Sequence, residues 1–334
     1  MMKRVTMADV AKEAGVSKST VSQYLNQRYE FMGEKTKKRI EEAIGKLGYQ
    51  PNMVARSLKQ KSSTTIGVIV ANISHEFSTR IIQAIEAQFH QADYHVIVCN
   101  AEDKPEKEKK YIDMLLAKQV DGLIIFPTST NVNVYNELNL QDFPLVFLDR
   151  SVPEVDVPTI MLDNKQAACL AVQELYQKGY EMLGILTNST EYNVTPRVER
   201  IEGFKQACRK YGLPVQEKFI QGVALENMTE KIHSIMIGED PPDALVAGND
   251  LVLMEILTYA RDHHLRIPED LAIIGIDDIS FASIYNPAIT TIAQPVEKMG
   301  HKAATLLISK IAKQKQTQDE IVRFPATLIS RSSC

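Results

Sequence analysis

Nine short apolar runs constrain this chain more than any other feature: TIGVIVAN, HVIVCN, GLIIFP, PLVFLD, TIMLD, MLGILTN, DALVAGN, LAIIGIDD and TTIAQP. Most are rich in β-branched residues, each is too short for a buried helix, and most lack the polar alternation of a half-exposed strand. They read as strands buried on both faces. Helical stretches alternate with them, among them Glu76–Gln91, Glu106–Ala117, Asn164–Lys178 and Val198–Tyr211. Strand and helix in alternation predict doubly wound parallel sheets with helices on both faces. So many strands fit two such sheets better than one. In these folds ligands bind beyond the carboxyl ends of the strands, so the residues just after each run carry the functional interest.

The first fifty residues have a different texture. Three short helices are expected, the first capped by Thr6 with Asp9 three positions on and stopped by Gly15. Ser17 caps the second, which turns Val21 and Leu25 inward. The third runs from about Glu34 to Leu47 and stops at Gly48, before Pro51. The second helix carries Ser17, Lys18, Ser19, Thr20, Ser22 and Gln23 in near succession, a leading edge too polar to face a core. A helix-turn-helix sets such an edge in the major groove. There Lys18 or Ser19 reaches bases or phosphates and Gln23 can pair with adenine. Thr6, Ser17, Thr20 and Ser22 suit phosphate contacts that fix register. A solvated helical hairpin has the same pattern, and charge separates the two readings. Residues 1–61 hold 13 Lys and Arg against 6 Asp and Glu, a net of +7, whereas the remainder carries −11. A basic head on an acidic body points to a polyanion met by the head alone.

These segments together resemble the LacI/GalR family of bacterial repressors. The resemblance rests on VTMADVAKEAGVSKSTVSQYLN, LGYQPNMVARSL, DGLIIFP, PLVFLDR, RIEGF, AGNDLVLMEIL, IIGIDD and PAITTIAQP, which occur in family order along the whole chain. It implies a helix-turn-helix domain over 1–50, a hinge helix and linker over 51–63, and an effector-binding core over 64–334 like type I periplasmic binding proteins. Within the core, an N-subdomain is expected at about 64–161 and 293–320, and a C-subdomain at about 162–292 and 321–334. The hinge is too short to be helical alone in water. By family likeness it coils when two copies meet in the operator's minor groove, with Asn52 opening it, Ala55 facing the groove floor and Leu58 wedged between base steps. The alternative is a flexible linker with an incidental leucine.

Three departures from the family pattern stand out. Gln23 replaces a usual arginine, which shifts the preferred base from guanine toward adenine. The segment QRYEFMGEK is one residue longer than usual, and Gly33 replaces a serine cap. Arg28 and Tyr29 are candidates for new backbone contacts there. YEFMGEKT also resembles the KdgR branch of the family.

In the core, four arginines lie at or near strand ends: Arg80, Arg150, Arg197 and Arg200. The resemblance makes Arg200 the sugar-clamping arginine and Asp277 the carboxylate that accepts from sugar hydroxyls, although the two could form a plain ion pair. Asn249, beside Asp250, lines the cleft in the same picture. Phe77 and Ser78 fall where the first strand–helix loop faces ligand, and Phe126 offers an aromatic face. This is the mixture a sugar needs. Arg80 and Arg197 are additional, and guanidinium matches carboxylate in a planar fork that hydroxyls do not require. They raise the expectation of an acidic sugar such as 2-keto-3-deoxygluconate, with Arg80 as a surface charge the other reading.

Other classes find little support. No phosphate loop and no nucleophile elbow follows any run. The four cysteines have no CxxC spacing, and His263 and His264 are adjacent on one helix, so neither metal nor cofactor is expected. No membrane-length run and no signal peptide is seen, which predicts a cytoplasmic protein. The expected function is a regulator, a repressor by preference, binding a pseudopalindromic operator as a homodimer. The rival is a soluble sugar-binding protein whose head serves protein contacts.

Overall fold

The computed structural model describes residues 5–49, 62–128, 130–314 and 321–334. The chain divides into two compact units, Met1–Ser63 and Thr64–Cys334. In the first, α1 (Met7–Ala14), α2 (Lys18–Leu25) and α3 (Glu34–Leu47) enclose Val10, Ala14, Val21, Ile40 and Ala43. Asp9 reaches back to accept from the Thr6 backbone N–H at 2.8 Å and from its hydroxyl at 2.6 Å. Gly15 takes the left-handed conformation (φ 62°) that turns the chain from α1 toward α2. Arg39 of α3 donates to the carbonyl of Ala14 and, at 3.2 Å, to that of Gly15, so the third helix fixes the turn between the other two. The hinge positions Asn52, Ala55 and Leu58 lie outside the described residues.

The second unit begins with β1 (Thr65–Val70), α4 (Glu76–Gln91), β2 (His95–Asn100), α5 (Pro105–Ala117), β3 (Gly122–Ile125), α6 (Val132–Leu140), β4 (Leu145–Leu148) and β5 (Thr159–Leu162). There follow α7 (Asn164–Gln177), β6 (Leu183–Asn188), α8 (Thr195–Lys210), β7 (Ile220–Val223), α9 (Met228–Met236), β8 (Ala244–Ala247), α10 (Asp250–Asp262), β9 (Ala272–Ile276), α11 (Ser280–Ile284) and β10 (Thr290–Ala293). Then come α12 (Val296–Ile311), β11 (Ile321–Phe324) and β12 (Thr327–Ile329). Two six-stranded sheets result, ordered β11-β5-β4-β3-β1-β2 and β12-β10-β9-β8-β6-β7. All pairings are parallel except β10 with β12. The period of two sorts side chains onto opposite faces. In the first sheet Val68, Ile124 and Val146 join one core, and Ile69, Leu123 and Phe147 the other.

The chain crosses between the sheets after β5, after β10 and between β11 and β12. This corrects the expected boundary at 320: Ile321–Phe324 pair with β5 and extend the first sheet. Only after Pro325 does the chain reach the second. One run, IVRFPATLI, thus serves both sheets, because proline cannot supply the N–H that an uninterrupted ladder needs. The first and last crossings are tied by Asp163 N–H donating to Phe324 O at 2.8 Å.

Helices α7 and α8 pack closely enough that a β-carbon at Gly203 would stand 2.6 Å from the Lys165 carbonyl oxygen. The glycine of RIEGF therefore sets how near α8, with its arginines, lies to α7. Among the described residues no helix is long and apolar enough to cross a membrane.

Candidate functional site

In the head, the leading edge of α2 is open. Ser17, Lys18, Ser19 and Gln23 are exposed, and Thr20 and Ser22 half-buried. Ser17 caps the helix by accepting from Thr20 N–H at 3.1 Å, and its hydroxyl also bonds those of Ser19 (2.6 Å) and Thr20 (2.8 Å). A small hydroxyl network thus holds the edge in one shape, while Lys18 and Gln23 extend from it. Thr6 spends its hydroxyl on Asp9. In the loop to α3, Arg28 is exposed, and the Tyr29 ring packs 5.9 Å from Tyr24 with Lys37 Nζ 4.4 Å above it. Phe31 in the same loop is 96% exposed.

In the core, the strand ends of the two sheets converge on a cleft enclosing about 490 Å³, solvent at its mouth included. Phe77, Ser78, Phe126, Arg150, Arg197, Arg200, Asn249 and Asp277 all line it. Arg80 does not. One helical turn beyond Phe77, it donates to Glu297 at 3.0 Å and to the Asp278 carbonyl at 3.2 Å, beside a smaller pocket that it lines together with Phe77, Asp277 and Gln294. These bonds favour the reading of Arg80 as a surface charge over that of an effector contact: distance past a strand does not fix the direction of a helical side chain. The structure also brings in Asn72, His75, Asp149, Val194, Pro196 and Gln294. Asn72, Asp149 and Gln294 stand directly after apolar runs, so the strand-end rule alone could have found them.

The local partners fix each group. Phe77 and Phe126 meet edge to face at 6.4 Å. Arg200 donates through Nε to Asn164 (2.9 Å) and through Nη1 to Gly248 O (2.5 Å), rather than pairing directly with Asp277. Asn249 caps α10 by accepting from Val252 N–H at 3.0 Å and donates to Asn188 at 2.9 Å. Asp277, in a left-handed conformation (φ 91°), accepts from Gln294 at 2.5 Å. Burial drives its carboxyl up to about 6, against the pull of Arg200. Burial likewise raises Asp149, opposed by Arg150 and Arg200.

Asp103, which sequence reasoning missed, joins the two halves. It accepts from Arg150 Nη1 at 2.7 Å and from Arg197 Nη2, across the cleft, at 2.9 Å. Burial resists its ionisation, but the two guanidiniums prevail and hold the carboxyl at about 2. Further bonds cross at the rim. His75 Nδ1 lies 2.5 Å from Asp250 Oδ1, and Glu76 N–H donates to the other oxygen at 2.8 Å. Ser280 donates its N–H (3.0 Å) and hydroxyl (2.7 Å) to the Glu76 carboxylate. Two polar atoms of the lining are buried without a hydrogen-bond partner among the described residues: the donor Arg150 Nε and the acceptor Gln294 Oε1. Among the described residues no group of three or more His, Cys, Asp or Glu is placed to hold a metal.

Residues 6–52 match the model of bacterial regulatory proteins of the lacI family, and residues 172–334 match a periplasmic binding protein-like domain. The chain is 45% identical to the probable HTH-type transcriptional regulator EndR of Paenibacillus polymyxa, over 98% of both chains. It is 32% identical to the HTH-type transcriptional regulator KdgR of Bacillus subtilis, over 98% of this chain and 97% of that one. Among solved structures, the Lac repressor bound to ONPG superposes with a TM-score of 0.87 at 26% identity, covering 99% of this chain and all of that one.

Proposed function

The chain belongs to the lacI family of bacterial regulatory proteins, and from that premise we propose that it is a homodimeric repressor whose operator binding is set by a carbohydrate in the cleft. It is a DNA-binding transcriptional regulator under small-molecule control, not an enzyme.

The proposed operator contacts are Lys18, Ser19 and Gln23 to base edges, with Thr6, Ser17, Thr20, Ser22, Arg28 and Tyr29 to the backbone. The exposure of Lys18, Ser19 and Gln23 on a hydroxyl-pinned edge supports this assignment. Asn52, Ala55 and Leu58 are proposed to form the hinge that enters the minor groove of a pseudopalindromic site. Effector binding favours one closed core and changes the spacing of the hinges. A coupling of about 1–3 kcal/mol is ordinary for such switches.

The carbohydrate reading is carried by one observation: two cleft-lining residues each hold a buried polar atom with no hydrogen bond among the described residues, the donor Arg150 Nε, which has only an ion-pair contact with Asp149 at 3.7 Å, and the acceptor Gln294 Oε1. A hydroxyl group both donates and accepts, and leaving such groups unpaired is costly. Phe77 and Phe126 give the ring an apolar face. The acidic-sugar refinement receives less support. Arg80 is already paired with Glu297, and Arg197 with Asp103. The experiment is a gel shift with fragments from around the chain's own gene, titrated with neutral sugars and with 2-keto-3-deoxygluconate. A specific complex whose affinity changes with one carbohydrate is expected. Loss of the reading follows if a specific complex forms and no carbohydrate alters it.

A further inference from the structure

Three arginines reach the cleft, and three carboxylates stand with them. Arg150, Arg197 and Arg200 line it; so do Asp149 and Asp277, while Asp103 backs Arg150 and Arg197. We propose that Asp103 is the charge-selecting residue of this cleft: it fills the anion position made by Arg150 and Arg197, so the cleft accepts neutral polyhydroxy ligands and rejects those bearing a carboxylate.

The geometry carries this. Arg150 and Arg197 belong to opposite halves of the core, and each gives Asp103 one N–H, at 2.7 and 2.9 Å. Their side chains are 6% and 13% exposed, so neither charge is relieved by bulk water. Two buried guanidiniums on one point would draw in any anion, were the point vacant. A ligand carboxylate arriving here would instead become a fourth carboxylate against three arginines. It would also meet Asp149, whose Oδ2 is already 3.7 Å from Arg150 Nε. Like charges so placed repel, the arginines between them being buried while Asp103 itself is 30% exposed. Asp103 remains ionised across the physiological range, since its carboxyl sits near 2, so the selection does not relax near neutrality. The inference deepens the carbohydrate reading of the cleft and rests on it for the ligand class, but not for the charge rule.

The test uses the full-length protein at pH 8, where Asp277 is ionised. Thermal stability and calorimetric binding are measured with sulfate against chloride at matched ionic strength, and with glucose against glucuronate, a pair differing by one carboxylate. Wild type is expected to gain nothing from sulfate or glucuronate. Asp103→Asn is expected to be stabilised by sulfate and to favour glucuronate at least about tenfold more than wild type does. Adding Arg197→Met should abolish that gain, and Asp103→Ser serves should the asparagine variant fold poorly. Sulfate or glucuronate binding by wild type as tight as by the variant would overturn the proposal, and the wild-type arm alone suffices for that. If Asp103→Asn gains sulfate while no sugar binds either protein or alters operator retention, the charge rule stands and the carbohydrate reading falls.

Discussion

At the scale of single residues, Asp277 shows how the cleft stores unfavourable energy. The residue is 6% exposed and its backbone is left-handed, and burial, which disfavours the anion, raises its carboxyl to about 6. A folded-state value above the unfolded one means that this carboxyl favours folding below about pH 4 and that the benefit disappears as pH rises through 6. Asp277→Asn, which tolerates the same backbone and keeps an acceptor for Gln294, is therefore expected to be more stable than wild type at pH 7.5. The gap is on the order of 1–3 kcal/mol, closing toward pH 4. Denaturant unfolding at the two pH values checks this; a gap that does not change with pH contradicts it. Effector affinity should fall in the same variant, because an amide N–H replaces one acceptor oxygen. Much of this neighbourhood is legible from the sequence, since Asp277, Asn249, Arg150 and Phe126 directly follow apolar runs. Arg80 and Asp103 are not. The first sits one helical turn into α4, where period alone does not say which way a side chain points, and the second lies three residues past β2 on a turn with φ 55°.

At the scale of elements, the α7–α8 contact has the least slack. A methyl group at Gly203 would meet the Lys165 Cα and carbonyl atoms at 2.6–3.0 Å, all of them backbone, so a helix must move. Gly203→Ala is expected to destabilise the core by about 1–3 kcal/mol, read from denaturant unfolding. Because α8 also carries Arg197 and Arg200, calorimetry should show weaker effector binding as well. Unchanged stability would mean that the two helices separate freely. The helices and strands themselves follow from apolar period and caps, and the sequence reading places most of their bounds within a few residues. The edge partner of a strand is another matter. IVRF and TLI are alike in composition, and nothing in either says that Pro325 divides them between two sheets.

At the scale of the whole molecule, a basic head and an acidic core share one chain, with the hinge residues between them. If the hinge acts as proposed, Leu58→Ser should lower operator affinity at least about tenfold, the kinked complex losing its wedge. Thermal unfolding of the core and effector binding should stay as in wild type. A footprint of unchanged strength would remove the hinge from the account. Here sequence reading rests on family likeness, because a segment this short has no helical signal of its own.

Three strands of backbone run between the two sheets, and the outer pair are bonded to each other through Asp163 and Phe324. The halves are therefore joined at three places along the chain, two of them laced together by a backbone bond, and a ligand that shifts one half must carry all three connections with it.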